Sequence, residues 1–147
     1  MEDNTKTKKI KALINQNKLA VLSTVTSENT SESAVVEISA RENFELIFDT
    51  LPTFRKYKNL RGNRNVSVVI GWEPTTVQYE GIAVELSDNE LEEYKQIHFA
   101  KFPEAVKFEK LGIKFFKIIP QWIRYTDVSM QSWEVFEINF PGGVGNK

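Results

Sequence analysis

The segment from Phe48 to Lys56, FDTLPTFRK, gathers the side chains best suited to holding an anion. It reads as a strand ending at Asp49, two hydroxyls at Thr50 and Thr53, and a helix start carrying the adjacent cations Arg55 and Lys56. Backbone N–H groups at a helix start lack intrahelical acceptors and attract negative charge along the helix dipole. Arg adds two parallel N–H donors that match a phosphate, and Lys adds a compact charge. Lys58, Arg61 and Arg64 continue the charge run, so the segment fits either a phosphate cradle or a solvated basic face. His98, the single histidine, is the other group with chemistry to offer. Its unperturbed pKa lies near neutrality, which suits a general acid or substrate-site residue. A lone helical histidine beside Phe99 is more often a packed, partly buried residue. Phe102 and Phe108 either line an apolar pocket or pin that helix. Glu37, between Val36 and Ile38, meets a ligand or faces solvent, and Trp72 and Trp122 stack on a planar ligand or fill the core.

Composition removes several chemistries. With no cysteine, the chain has no disulfide, thiolate nucleophile, iron–sulfur cluster or Cys-ligated zinc. With one histidine it cannot build a two-histidine metal site within one chain, and no metal is expected. A formal net charge of -1 gives no global attraction to nucleic acid or to anionic membranes. The lysine-rich start, Met1 to Lys11, leads into no apolar stretch of the secretory kind, and no run is long enough to span a bilayer. The expected location is the cytoplasm.

The elements that must position these residues follow from periodicity. The 147 residues, 41% hydrophobic and 27% charged, suit one globular domain. We expect that domain over 1–140 and a tail over 141–147. Ile10, Leu13 and Ile14 form one stripe of an opening helix. Strands are expected at Leu19 to Thr26, Ala34 to Ser39, Phe44 to Asp49, Val66 to Trp72, Thr75 to Leu86, Phe115 to Tyr125 and Trp133 to Phe140. Ser27 to Ser33 reads as a polar loop. Helices are expected at Thr53 to Asn63 and at Asp88 to Lys101, the second capped by Asp88 and stopped by Pro103. Gly81 marks a bulge or a close approach inside its strand. Strands at hairpin-like spacing with inserted helices specify a mainly β fold, a small antiparallel barrel of about six strands.

Three blocks, LAVLSTV (Leu19 to Val25), FDTLPTFRKYKNLRGNRNVSVVIGW (Phe48 to Trp72) and TVQYEGIAVEL (Thr76 to Leu86), resemble the flavin-binding core of pyridoxamine-5′-phosphate-oxidase-like proteins. IIPQWIRYTD, Ile118 to Asp127, extends the likeness to a shorter subgroup of that family. The resemblance implies a six-stranded split β-barrel that holds FMN at the interface of a homodimer. It places Thr50, Arg55 and Lys56, with Asp49 beside them, at the FMN phosphate, and Val35, Val36, Glu37 and Ile38 along the ring system. Gln78 falls near the flavin of the partner subunit, and Trp122 and Arg124 approach the cofactor from late in the chain.

True oxidases of this kind grip substrate phosphate with Tyr, Arg and Ser on the later helix, and the corresponding positions here are His98, Phe102 and Val106. Without that Arg the bidentate clamp is lost, so vitamin B6 oxidation is not expected. His98 and Phe102 stay as substrate-pocket candidates. The function implied is an FMN-dependent oxidoreductase meeting a small-molecule substrate or reductant. The alternative is a flavin-binding sensor or carrier without turnover. A deazaflavin would call for extra basic surface that the chain lacks, and haem would call for an axial ligand, for which only His98 is an obvious candidate.

Overall fold

The computed structural model describes residues 2–141. Helix α1 (Glu2–Gln16) leads into β1 (Leu19–Val25), β2 (Ser31–Glu37), β3 (Ser39–Ala40) and β4 (Leu46–Thr50). Helix α2 (Arg55–Gly62) precedes β5 (Asn65–Ile70) and β6 (Thr75–Glu85). Helix α3 (Asp88–Lys101) runs into a 3₁₀ segment (Pro103–Leu111), and β7 (Lys114–Asp127) and β8 (Glu134–Asn139) finish the sheet. All pairings are antiparallel, in the order β2-β1-β5-β6-β7-β4-β3, with β8 also on β7. One edge of β7 is therefore divided: Lys114 to Ile118 pair with β4, and Trp122 to Asp127 pair with β8. The sheet curls until β2 comes into contact with β4 without a ladder forming between them. That contact is the seam of a split barrel.

Strict alternation fills the barrel. In β5, Val66, Val68 and Ile70 are buried while Asn65, Ser67 and Val69 face out. In β6, Val77 and Tyr79 point in and Gln78 and Glu80 out. The buried Tyr79 hydroxyl donates to Phe44 O (2.7 Å) or Ile118 O (3.0 Å), so its polar tip is satisfied. Helix α1 closes one end with Ile10, Leu13 and Ile14, and α2 closes the other with Tyr57 and Leu60. Helix α3 lies outside the barrel, where Tyr94 packs with Ile47, Leu86 and Phe115 in a second small core. So β4 is covered on both faces, with Leu46 and Phe48 inside the barrel and Ile47 under α3.

Gly81 sits where the β6–β7 register shifts: Glu80 faces Trp122, Gly81 faces Pro120, and Gln121 is the extra residue. A Cβ on Gly81 would lie 2.4 Å from Ile119 O, so a side chain is excluded by backbone. Pro120 has no N–H to give the ladder, and the bulge accommodates it.

Several expectations need correction. The sheet has eight strands where a barrel of about six was expected: Ser39–Ala40 forms a short strand of its own, and the strand expected at Trp133 to Phe140 forms as β8 beside β7. The Ser27 to Ser33 loop is shorter than expected, since β2 begins at Ser31 opposite Val25. Thr26 N bonds Thr30 O at 2.8 Å and Asn29 takes φ 64°, which closes a tight turn. Ser31 and Ser33 lie on the open face, so no apolar alternation announces them. Asp88 does not cap α3: it is the first helical residue, and Ser87 at the N-cap makes no side-chain cap bond. Most of the expected tail, 142–147, lies outside the described residues.

Candidate functional site

The seam between β2 and β4 carries a cavity of about 320 Å³. Val35, Val36 and Glu37 line it from β2, Asp49 and Thr50 from β4, and Phe54 and Lys56 from the start of α2. Phe108 and Leu111 of the 3₁₀ segment, with Ile113 after it, close the remaining side. An adjoining cavity of about 470 Å³ shares Val35, Phe54 and Lys56 and adds Thr53 and Arg55. Both volumes fall within the range in which proteins hold small ligands. The lining divides into an apolar part and one polar end.

That polar end is built by a helix start without a cap. Phe54 at the N-cap makes no side-chain cap bond, and the first turn of α2 has no acidic residue. The helix start therefore supplies no capping side chain or acid of its own beside Phe54 and Lys56, which line the cavity. The Lys56 ammonium lies 5.1 Å from the Phe54 ring centroid. Burial pulls its pKa below the usual lysine value, and the nearby Asp49 carboxylate partly restores it. A half-desolvated cation of this kind gains by meeting an anion. Thr50 Oγ1 makes only a long 3.3 Å contact to Leu51 O, so its proton is available to a ligand.

Arg55 is held differently. Its guanidinium pairs with Glu32 Oε2 at 2.9 Å, and Glu32 Oε1 accepts from Asn59 Nδ2 at 2.8 Å. Asn59, buried in α2, gives its other N–H to Thr24 Oγ1 at 2.9 Å. Glu32 thus brings a carboxylate beside the start of α2.

The remaining expected residues lie elsewhere in the single chain. Ile38 is in the barrel core. His98, on the buried side of α3, and Phe102, at its C-cap, are both buried and neither lines the cavity. His98 Nδ1 is 2.6 Å from Ser39 Oγ, and its ring lies between Phe102 and Phe115. Gln78, Trp122 and Arg124 sit on the outer face of the sheet, where Gln78 is opposite Arg124. Trp122 Nε1 and Arg124 both donate to the Glu137 carboxylate. Sequence reasoning missed Leu111 and Ile113, which follow Pro103 in a stretch with no periodic signal. It also missed Glu32, a single acid in a polar run. Among the described residues no three His, Asp or Glu side chains cluster as a metal ion would require, and no helix is long and apolar enough to cross a membrane.

Fold and cavity together define an antiparallel split-barrel protein with its pocket on the barrel seam. Residues 7–127 match the pyridoxamine 5′-phosphate oxidase family, and the chain belongs to it. Solved structures share the fold. General stress protein 26 from Bacillus anthracis superposes with a TM-score of 0.67 at 21% identity, covering 90% of this chain and 98% of its own. A heme binding protein from Mycobacterium smegmatis gives 0.76 at 14% identity, covering 88% and 57%. Campylobacter jejuni ChuZ gives 0.75 at 12% identity, covering 92% and 60%. No curated protein matches the sequence.

Proposed function

We propose that the chain binds FMN in the seam cavity of a homodimer and serves as a small flavin-dependent oxidoreductase. The observation that carries this reading is the convergence of Lys56, Thr50 and the uncapped start of α2 at one end of an otherwise mostly apolar cavity. The donor set fits a phosphate monoester, and Val35, Val36, Phe54, Phe108 and Leu111 fit the flat apolar ring system. Bound there, FMN would supply two-electron redox chemistry, for which the chain needs no nucleophile of its own. The protein's part is to seat the phosphate on Lys56 and Thr50, to sandwich the ring, and to exclude water from one of its faces.

The outer face of the sheet supports a dimer. Registers align Val35, Val21, Val69, Gln78 and Arg124 in one cross-strand row that starts at the cavity and ends far from it. Val35 and Val69 are exposed on it, and Leu19 is exposed nearby on β1. Two such rows packed about a two-fold axis lay the Gln78–Arg124 end of one copy over the Val35 end of the other. Residues on opposite sides of one chain then share one site.

A haem reading has less support. It needs an axial donor, and the single histidine is fully buried on the packed side of α3 with Nδ1 committed to Ser39. A visible spectrum of the purified protein, before and after adding FMN and removing the excess, tests the proposal. The paired bands of an oxidised flavin are expected. A protein that stays colourless, or that shows a haem band instead, overturns it. A pyridine nucleotide that bleaches the flavin bands catalytically separates turnover from mere binding.

A further inference from the structure

His98 has one feature that packing does not explain. The residue is 0% exposed, yet Nε2 has no hydrogen-bond partner among the described residues. Leaving such a group unpaired in a dry interior is costly, because its lost hydration is not replaced. The nearest charged oxygen is Asp49 Oδ2, at 3.4 Å. The ring cannot easily move toward it. Phe102 and Phe115 hold it at centroid distances of 5.0 Å and 6.0 Å, and Ser39 Oγ fixes Nδ1 at 2.6 Å. Asp49 can move, because its side chain is 24% exposed and stands in the wall of the seam cavity. In the ligand-free chain its carboxylate is shared between two attractions, the Lys56 ammonium on the cavity side and His98 on the buried side.

We propose that His98 is a positioning residue for Asp49: an anion seated on Lys56 displaces the carboxylate, which closes onto His98 Nε2–H. This rests on the phosphate-binding reading of the cavity. The physical sequence is short. A phosphate takes over Lys56, repels Asp49, and leaves that carboxylate in need of a donor. His98 supplies one if Nδ1 accepts the Ser39 hydroxyl proton and Nε2 carries the ring proton. The cost of the orphan N–H in the ligand-free chain is recovered when the cavity fills. His98 therefore acts on the ligand through Asp49 without touching it.

The single histidine makes the test clean, because one set of ring signals belongs to one residue. Proton–nitrogen correlation spectra of the ring are recorded for the whole chain alone, with FMN, and with riboflavin, which lacks the phosphate. The Nε2–H tautomer is expected in the ligand-free protein. FMN should shift the Nε2–H signal downfield, riboflavin should not, and Asp49→Asn should abolish the shift. His98→Gln should weaken FMN by about tenfold, the order expected for one hydrogen bond to a charged group, and leave riboflavin unchanged. If that variant fails to fold, the Asp49→Asn spectra still decide the matter. An Nδ1–H tautomer, or FMN that binds by fluorescence quenching while the ring signals stay in place, overturns this proposal and leaves the cofactor reading standing. FMN that fails to quench at all overturns the cofactor reading, and the proposal with it.

Discussion

Lys56 and Arg55 are adjacent in sequence but differ in what they can offer a ligand. Lys56 is half-buried at the cavity with its pKa lowered by desolvation, whereas Arg55 is exposed and already paired with Glu32. Lys56→Ala should therefore raise the Kd for FMN by about tenfold to a hundredfold, as loss of a charge-assisted contact does, while the melting temperature barely moves. Glu32→Gln should do the opposite. The amide still accepts from Asn59, but the Arg55 guanidinium is released from its carboxylate partner and a repelling charge disappears, so FMN should bind several-fold tighter in a fluorescence titration. Weaker binding would mean that the Glu32–Arg55 pair serves to aim the guanidinium. The motif that marked Thr50, Arg55 and Lys56 was legible because a strand end, hydroxyls and cations fall close together along the chain. Glu32 was not, since its relation to Arg55 exists only once β2 lies beside α2. His98 was legible as a residue with two roles, and only the packing of the buried side of α3 decides where it sits.

Elements were legible wherever one face is apolar and the other polar. β5 and β6 alternate clearly, and the Ile10, Leu13, Ile14 stripe announces α1. The first half of β2 and the 3₁₀ segment were not, because Ser31 and Ser33 carry no hydrophobic period and i, i+3 geometry leaves little trace in sequence. Gly81 was readable as a special position, and its consequence can be measured. Gly81→Ala forces a Cβ against Ile119 O and should cost about 2–4 kcal/mol in urea unfolding, since backbone on both strands must shift. Lys101 links two helices: Nζ donates to Ile14 O and Asn17 O, at 3.2 Å and 2.7 Å, at the end of α1. Burial draws its pKa down from 10.5 to about 8. Between those two values the unfolded chain holds the proton that the folded chain has released, so this group makes stability rise with pH across that window. The rise is modest because solvent still reaches part of the side chain. Lys101→Met should flatten the slope of unfolding midpoint against pH from about 8 upward relative to wild type. Parallel slopes would show that the α1 carbonyls hold the ammonium charged throughout.

For the molecule as a whole, Val35 and Arg124, which the family resemblance groups around one cofactor, stand at the two ends of one cross-strand row, and the proposed dimer would bring them together. Sedimentation should give a particle of twice the 16.9 kDa chain. Val69→Lys places a charge at the centre of that face without touching the barrel core, and should yield a folded monomer that has lost most of its FMN affinity. A monomeric wild type that binds FMN fully would remove the two-fold arrangement and leave the cavity reading intact. Curvature and pairing order were readable only as a class, a small antiparallel barrel, because the register of strands distant in sequence is decided by the closed sheet.

The divided edge of β7 has a kinetic consequence. Asp49 and Thr50 belong to β4, whose ladder partners, Lys114 to Ile118, come from much later in the chain. The cavity wall cannot assemble until that long loop closes, and closing it is the slow part of forming such pairings. The proposed site needs that wall and the start of α2 and the 3₁₀ segment packed on it, and so is complete only after the closure. Saturating FMN should leave the refolding limb of a chevron unchanged and slow only the unfolding limb. The cofactor would act on the lifetime of the folded barrel, with no hand in building it.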